Sequence, residues 1–218
     1  AVIKLQEPSP FLSRGGIKLE AALKKFQLDH LEGKVCADIG ASTGGFTDCL
    51  LKHSAKKVYA IDVGYGQLHW KLRQDPRVVV MERTNARYLQ NLPEAMDLVV
   101  VDVSFISLCT LFPAVRNLIK EKEASLITLI KPQFEAGKDE AAKGRGVIQD
   151  HRVHRQVLEK VIEEAQKEGL NFCALILSPI KGPKGNIEFL ALFKKEPTAV
   201  DYKQAIGNVI EEAKVKWG

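Results

Sequence analysis

Short apolar segments alternate with amphipathic segments between Ile17 and Lys131. The apolar segments have the length of buried strands, and the segments between them carry apolar residues at helical spacing. The pattern predicts strands over Lys34–Ile39, Lys57–Asp62, Val78–Glu82, Leu98–Val103 and Ser125–Ile130. It predicts helices over Ile17–Phe26, Gly45–Lys52, Gln67–Leu72 and Leu108–Lys120. This alternation favours βαβ units around a mainly parallel sheet, and therefore an α/β protein.

The pattern changes after Lys131. Pro132–Asp150 is polar, contains glycines and is too long for an ordinary connection, so it is a candidate active-site lid or substrate loop. A helix is predicted over His151–Glu168 and another over Ala199–Lys214. Between them, strands over Asn171–Ser178 and Asn186–Lys194 are joined through a glycine-rich segment, which predicts an antiparallel hairpin at the sheet edge.

Composition narrows the class of protein. The chain has 218 residues, 45% of them hydrophobic, which is enough for one sizeable core. No apolar run approaches the ~18–20 residues of a membrane-spanning helix, and the start does not resemble a signal peptide, so we expect a cytoplasmic protein without a membrane partner. The four cysteines do not have metal-ligand spacing, so we expect no disulfides and no metal site. The net charge of +5 is compatible with a polyanionic partner but is too small to establish one.

A small-residue turn after the first predicted strand is the most informative motif. The strand ends in Asp-Ile-Gly, and Gly44-Gly45 opens a helix at the sheet edge where open α/β folds bind ligands. Ser42 replaces the second glycine of a dinucleotide-binding motif, which weakens that interpretation. A carboxylate at the strand end suits a ligand with a cationic amino-acid part, such as S-adenosylmethionine, whereas an ordinary strand–turn–helix remains the alternative. The predicted cofactor-binding residues of this motif are Asp38, Gly40, Ser42, Thr43, Gly44, Gly45 and Phe46.

Two further strand ends extend the predicted cofactor site. Asp62 ends the second strand, where an acidic residue accepts hydrogen bonds from ribose hydroxyls, although a solvated strand end explains it when taken alone. Asn85 follows the third strand, where its amide could face an adenine edge or cap a loop. Asp102, at the end of the fourth strand, completes the predicted set.

Four charged residues form a candidate catalytic group. Asp102 and Lys131 end neighbouring predicted strands at the edge that carries the small-residue turn. Lys18 starts the first helix, and Glu188 interrupts an apolar run within the last predicted strand, where an unpaired buried carboxylate would be costly. A lysine can remove a hydroxyl proton only if its ammonium form is destabilised by desolvation or a nearby cation. We therefore predict Lys131 as the base, with Asp102 orienting it without close contact.

The quartet Lys18, Asp102, Lys131 and Glu188 resembles the Lys-Asp-Lys-Glu tetrad of the FtsJ-like RNA ribose 2′-O-methyltransferases. The segments Ser13–Leu19, Asp102–Leu108 and Ile130–Glu135 resemble the TlyA, or haemolysin A-like, branch more closely, and the likeness runs from about Phe11 to Lys194. The resemblance implies a Rossmann-like S-adenosylmethionine-dependent methyltransferase fold, with a seven-stranded, mostly parallel sheet and an antiparallel C-terminal hairpin strand.

The resemblance also implies a substrate and a missing domain. The implied reaction is 2′-O-methylation of cytidine in ribosomal RNA, with ribosomal RNA or ribosomal subunits as partners. An S4-type RNA-binding domain precedes the methyltransferase in this branch, so residues 1–12 are interpreted as a linker from such a domain and residues 13–218 as the methyltransferase. Basic residues on loops near the active edge are predicted to bind RNA phosphates: Arg14, Lys138, Arg145, Lys181 and Lys184.

Three alternatives remain open at this point. A methyltransferase of bases or small molecules is disfavoured, because Asp102–Phe105 stands where base N-methyltransferases commonly carry an Asn-Pro-Pro-Tyr-like segment. A membrane-lytic protein, which the haemolysin name suggests, would need a spanning or strongly amphipathic apolar segment. A non-catalytic RNA-binding or ribosome-assembly module would keep the fold without transferring methyl groups.

Overall fold

A seven-stranded sheet with the order β3-β2-β1-β4-β5-β7-β6 organises the computed structural model, which describes residues 10–137, 140 and 144–217. The strands are β1 Val35–Ile39, β2 Lys57–Ile61, β3 Val78–Met81, β4 Leu98–Val101, β5 Ser125–Ile130, β6 Asn171–Leu177 and β7 Phe189–Lys194. The helices with described bounds are α1 Arg14–Lys25, α2 Gly45–Lys52, α3 Trp70–Arg73, α4 Phe112–Leu118, α5 Pro132–Glu135, α6 His151–Lys167 and α7 Tyr202–Trp217. Two short 3₁₀ helices cover Ala86–Tyr88 and Leu108–Thr110.

Strand direction confirms the predicted sheet. β1 to β5 pair in parallel, while β7 runs antiparallel to both β5 and β6. Ile39 pairs with Val101, which in turn pairs with Thr128, so β1, β4 and β5 end close together on one rim. That rim carries the segments that follow each of these strands, and it is therefore where the predicted site residues meet.

Helices cover both faces of the sheet. One apolar cluster joins α4, α6 and α7 to one face and includes Phe112, Phe172 and Phe193. The other joins α1, α2 and the segment before α3 to the opposite face and includes Leu19 and Leu50. Burial on both sides explains why the central strands are almost continuously apolar in sequence. No helix in the described part of the chain has the length and apolar character that crossing a membrane requires.

Several element boundaries differ from the prediction. The first helix begins earlier, at Arg14, because Ser13 caps it by accepting a hydrogen bond from the Gly15 amide at 3.3 Å. Its glycines permit close packing: a Cβ on Gly16 would lie 2.3 Å from the Phe11 side chain. The predicted Leu108–Lys120 helix divides into the second 3₁₀ helix and α4. The segment predicted as a continuous loop after Lys131 starts with the short helix α5.

Candidate active site

A cleft of about 890 Å³ opens at the carboxyl rim of the parallel strands. Its walls come from the start of α1, the β1–α2 turn, the segments that follow β4 and β5, and the segment before β7. The side chains and glycines that line it include Lys18, Gly40, Ser42, Thr43, Gly45, Phe46, Asp102, Ser104, Phe105, Lys131, Gln133, Phe134, Lys184, Asn186 and Glu188. The cleft thus contains the whole predicted catalytic quartet and most of the predicted cofactor turn.

The β1–α2 turn requires glycine at its first position. Gly40 has a φ of +85°, and a Cβ added to it would lie 2.4 Å from the backbone oxygen of Asp102. Gly44, the N-cap of α2, has a φ of +96°. Ser42 occupies the left-handed region at +50°, a strained conformation for a residue with a side chain. The turn is therefore held in one shape against the end of β4, with its backbone open to the cleft.

Replacing Gly40 with Ala is expected to destabilise the protein by about 2–5 kcal/mol. The left-handed conformation costs a residue with a Cβ about 1–2 kcal/mol, and overpacking against the Asp102 carbonyl adds about 1–3 kcal/mol. Gly33→Ala is the matched control, because Gly33 has a φ of +75° but its added Cβ would contact nothing within 4 Å. Urea unfolding measures both variants, and an equal loss of stability would show that contact with Asp102 is unimportant.

Asp38 supports the turn from beneath and is not a wall of the cleft. Its side chain is fully buried, and Oδ2 accepts a hydrogen bond from the Thr47 hydroxyl at 2.7 Å. Burial raises the pKa of Asp38 to about 7, because the charged form loses its solvation. Oδ1 accepts no hydrogen bond from the described residues. Asp38 is not among the residues that line the cleft, and its predicted contact with a cationic ligand stays a prediction.

Asp62 contacts the turn, and neither Asp62 nor Asn85 is among the residues that line the cleft. Asp62 accepts hydrogen bonds from the backbone amides of Ser42 at 2.8 Å and Gly64 at 2.7 Å, so it fixes the turn to the end of β2. Asn85 caps the first 3₁₀ helix by accepting from the Arg87 amide at 3.1 Å. The capping alternative for Asn85 is thus realised, and ribose and adenine contacts by these two residues stay predictions.

Lys131 has two close polar partners. Its Nζ donates a hydrogen bond to the Ser104 hydroxyl at 2.9 Å and lies 2.6 Å from Asp102 Oδ1. The ion pair lacks hydrogen-bond alignment, since Asp102 Oδ1 accepts no hydrogen bond within the described part of the chain. The prediction that Asp102 avoids close contact with Lys131 is wrong. β4 and β5 are hydrogen-bonded neighbours, and side chains that follow their adjacent ends are brought together.

Lys18 and Glu188 form a buried ion pair in the same cleft, next to the end of β5. Lys18 Nζ donates to Glu188 Oε2, and the two side chains are only 8% and 1% exposed. Glu188 lies one residue before the start of β7, and not within the strand as predicted from the sequence. A Cβ on Gly182 would lie 2.4 Å from Glu188 Oε1, which explains a glycine at that position of the connection. Lys18 therefore contributes to the cleft as one half of a fixed, neutral pair.

The predicted RNA-binding residues lie on several loops. Lys184 is exposed and lines the cleft, and Arg145 is exposed in the segment before α6. Arg14 donates to the backbone oxygen of Lys181 at 2.6 Å, which joins α1 to the β6–β7 connection. The ammonium of Lys181 lies 5.1 Å from the centre of the Trp217 ring. Lys138 lies outside the described residues.

Sequence reasoning missed several polar side chains of the cleft wall, including Ser104, Gln133 and Asn186. Asn186 is buried, accepts from the Ile148 amide at 2.9 Å and donates to the Gly146 carbonyl at 2.8 Å. It therefore ties residues 146–148 to the β6–β7 connection. The only sequence signal for Asn186 was its position between a glycine and an apolar strand. Asparagine is common at such turns, so the signal did not indicate a functional residue.

One grouping of possible metal ligands lies away from the cleft. Glu20, Cys49 and His53 place their ligand atoms within 4.8 Å of one another, a proximity that sequence spacing did not reveal. His53 already contacts Glu20 through Nε2 and the Asp29 carbonyl through Nδ1, the latter at 2.7 Å. Burial raises the pKa of the Cys49 thiol, which keeps it protonated and a poor ligand. The expectation of no metal stays a prediction.

The strand order and a ligand cleft at the carboxyl rim define an α/β fold of the Rossmann-like methyltransferase class. Residues 11–195 match the model of the FtsJ-like methyltransferase family. The chain belongs to this family, and within it to the branch that contains TlyA and hemolysin A.

Relatives and solved structures agree with this assignment. The chain is 48% identical to the Mycobacterium tuberculosis 16S/23S rRNA (cytidine-2′-O)-methyltransferase TlyA over 82% of its own length and 66% of the relative's. It is 46% identical to hemolysin A of Brachyspira hyodysenteriae over 88% of its length and 80% of the relative's. The structure of a candidate hemolysin from Streptococcus thermophilus superposes with a TM-score of 0.91 at 43% identity, covering 98% of this chain and 78% of that one. The chain thus spans just under two thirds of the TlyA relative.

Proposed function

We propose that this chain uses S-adenosylmethionine to methylate the ribose 2′-hydroxyl of a cytidine in ribosomal RNA, in the cytoplasm. The observation that carries the proposal is the meeting of Lys131, Asp102 and the Lys18–Glu188 pair in the cleft that also contains the β1–α2 turn. The identity to TlyA supports the reaction and the target nucleotide.

The residues of the turn fit the methyl donor. Gly40 and Gly45 leave the backbone open to the cleft, and Phe46 offers an apolar wall beside it. The Asp102 carboxylate, 2.6 Å from Lys131 Nζ, favours a further cationic group beside it. The volume of about 890 Å³ lies within the usual range for small-molecule sites. When bound, the donor supplies a sulfonium-activated methyl group, which needs no further activation by the protein.

The remaining chemistry falls to the chain's own side chains. A ribose hydroxyl is a weak nucleophile, so its proton must be accepted at a positioned base as the oxygen is alkylated. Lys131 fits this role in its neutral form, with Ser104 holding its Nζ at 2.9 Å. Without ligand, Asp102 pairs with the Lys131 ammonium. A second cation beside Asp102 would compete for the carboxylate and weaken that ion pair. The Lys18–Glu188 pair forms a fixed polar surface of the cleft that can align the ribose.

Transfer of labelled methyl groups tests the proposal. Ribosomal RNA from cells that lack the protein is incubated with this chain and methyl-labelled S-adenosylmethionine, and the product is digested with alkali. Ribose methylation blocks cleavage next to the modified nucleotide, so the label is expected in alkali-resistant dinucleotides that contain cytidine. Label on a base would contradict the ribose assignment. Binding of RNA and cofactor without any transfer would support the non-catalytic module instead.

Replacing Lys184 with Ala is expected to weaken RNA binding at every salt concentration and to lower the slope of log affinity against log salt by about 1. Lys184 is exposed at the cleft wall, where a phosphate of bound RNA would lie. Lys214→Ala is the matched control, since Lys214 is an exposed lysine on α7 paired with Glu211. Filter binding from low to physiological salt measures both variants. Equal slopes for Lys184→Ala and the unmodified chain would contradict the assignment.

A further inference from the structure

A buried carboxylate joins the two segments that follow β4 and β5. Glu135, at the end of α5, is only 4% exposed. Its Oε2 accepts a hydrogen bond from the Ser107 hydroxyl at 2.6 Å, and its Oε1 accepts from the Leu108 amide at 2.7 Å. Both partners belong to the segment that follows Asp102, whereas Glu135 belongs to the segment that follows Lys131. One side chain therefore connects the two halves of the Asp102–Lys131 pair below the cleft.

The connected segments carry cleft residues in a strained arrangement. Phe105 has a φ of +65° and is 90% exposed. A left-handed backbone conformation and nearly full exposure are both uncommon for an aromatic residue. Its ring lies 4.9 Å from the ring of Phe134, measured between centroids. Ser104, the preceding residue, accepts the hydrogen bond from Lys131. Something must hold this segment in place, and Glu135 contacts it two and three residues after Phe105.

The surroundings of Glu135 suit a rigid support. Burial raises its pKa above the ordinary range of a glutamate, and the hydrogen bonds from Ser107 and Leu108 offset part of that effect. Lys160 of α6 donates to the Glu135 backbone oxygen at 3.2 Å, so α5 is itself fixed from below. Glu135 does not line the cleft and contacts no reacting atom. Its effect on the reaction must therefore act through the residues that it places.

We propose that Glu135 is a positioning residue for methyl transfer: its carboxylate fixes the 104–108 segment on α5 and thereby sets Ser104 and Phe105 against Lys131 and Phe134. This inference rests on the proposed function, because its consequence is measured as methyl transfer. Displacement of reacting groups by about 1 Å can cost about 10²-fold in rate, so a loosened segment should reduce kcat strongly.

Three substitutions separate positioning from charge. Glu135→Ala removes both acceptors and is expected to reduce kcat at least about tenfold, with the KM for S-adenosylmethionine within about twofold of the unmodified chain. Glu135→Gln should restore most activity, because its amide oxygen can accept from Leu108 while its NH₂ donates to the Ser107 hydroxyl. Ser107→Ala removes one hydrogen bond and should give an intermediate loss. Glu121→Ala, an exposed glutamate paired with Lys195, is the surface control.

Hydrogen exchange and cofactor stoichiometry exclude simple misfolding. The Leu108 amide should exchange faster in Glu135→Ala than in the unmodified chain, and Glu135→Gln should return it to slow exchange. Rates are normalised to the fraction of molecules that bind cofactor. Normal kcat in Glu135→Ala, or equal damage in the Gln and Ala variants, would overturn the proposal. Absence of ribose methylation by the unmodified chain would instead overturn the proposed function and with it this role.

Discussion

Replacing Lys131 with Ala is expected to reduce methyl transfer to RNA by about 10²–10⁴-fold, the usual contribution of a positioned general base. The variant should still bind S-adenosylmethionine, because the β1–α2 turn does not depend on the lysine. Lys131 is 11% exposed and contacts Asp102 and Ser104, so its loss leaves those two polar groups to solvent or to a ligand. Single-turnover transfer of labelled methyl measures the effect on chemistry directly.

Lys131→Arg distinguishes a base from a merely charged group. Arginine keeps the positive charge beside Asp102 but does not give up its proton in proteins, so it should be nearly as inactive as alanine. Ser104→Ala, which removes the neighbouring hydroxyl and leaves the lysine, should retain much more activity. Substantial transfer by Lys131→Arg would show that charge suffices, and the base would then have to be sought elsewhere.

Removing Glu188 is expected to be the most destabilising change in the cleft. Glu188→Ala would leave the Lys18 ammonium buried without its partner, and breaking a buried ion pair from one side costs about 3–5 kcal/mol. Urea unfolding of the chain should show this loss at neutral pH. Glu164→Ala serves as the control, because its pair with Lys167 is exposed and exposed pairs contribute about 0–1 kcal/mol.

The double variant Lys18→Met and Glu188→Leu separates stability from activity. Apolar side chains of similar volume can replace a buried ion pair with little loss of stability, so the double variant should unfold near the unmodified chain. Methyl transfer should remain low, because a polar wall toward the ribose has been removed. A double variant with normal activity would show that the pair serves only to fold the protein.

The sheet could be predicted from sequence because its central strands are buried on both faces and read as apolar runs of strand length. The elements that were misplaced depend on tertiary contacts. Gly15 and Gly16 lie inside α1, although glycine disfavours helix, because Ser13 caps the helix and close packing against Phe11 leaves no room for a side chain. Pro132–Glu135 forms a single helical turn whose glutamate is fixed by a distant segment.

The site was predictable where residue type and strand end coincide, as for Lys131 and Asp102. The distance of 2.6 Å between Lys131 Nζ and Asp102 Oδ1 was not predictable, because it depends on β4 and β5 being neighbours in the sheet. The complete burial of Asp38 was not predictable either, because its position at a strand end suggested an accessible carboxylate. Glu135 looked like part of a polar loop, and the two hydrogen bonds to its carboxylate come from residues 27 and 28 positions away.

A crystal structure of this chain with S-adenosylhomocysteine, the product of methyl transfer, is the most direct test. We predict that its sulfur atom lies in the cleft between the Gly40–Phe46 turn and the Asp102–Lys131 pair, with the side that would carry the methyl group facing Lys131. A sulfur atom directed away from Lys131, or a ligand bound outside this cleft, would contradict the proposed reaction.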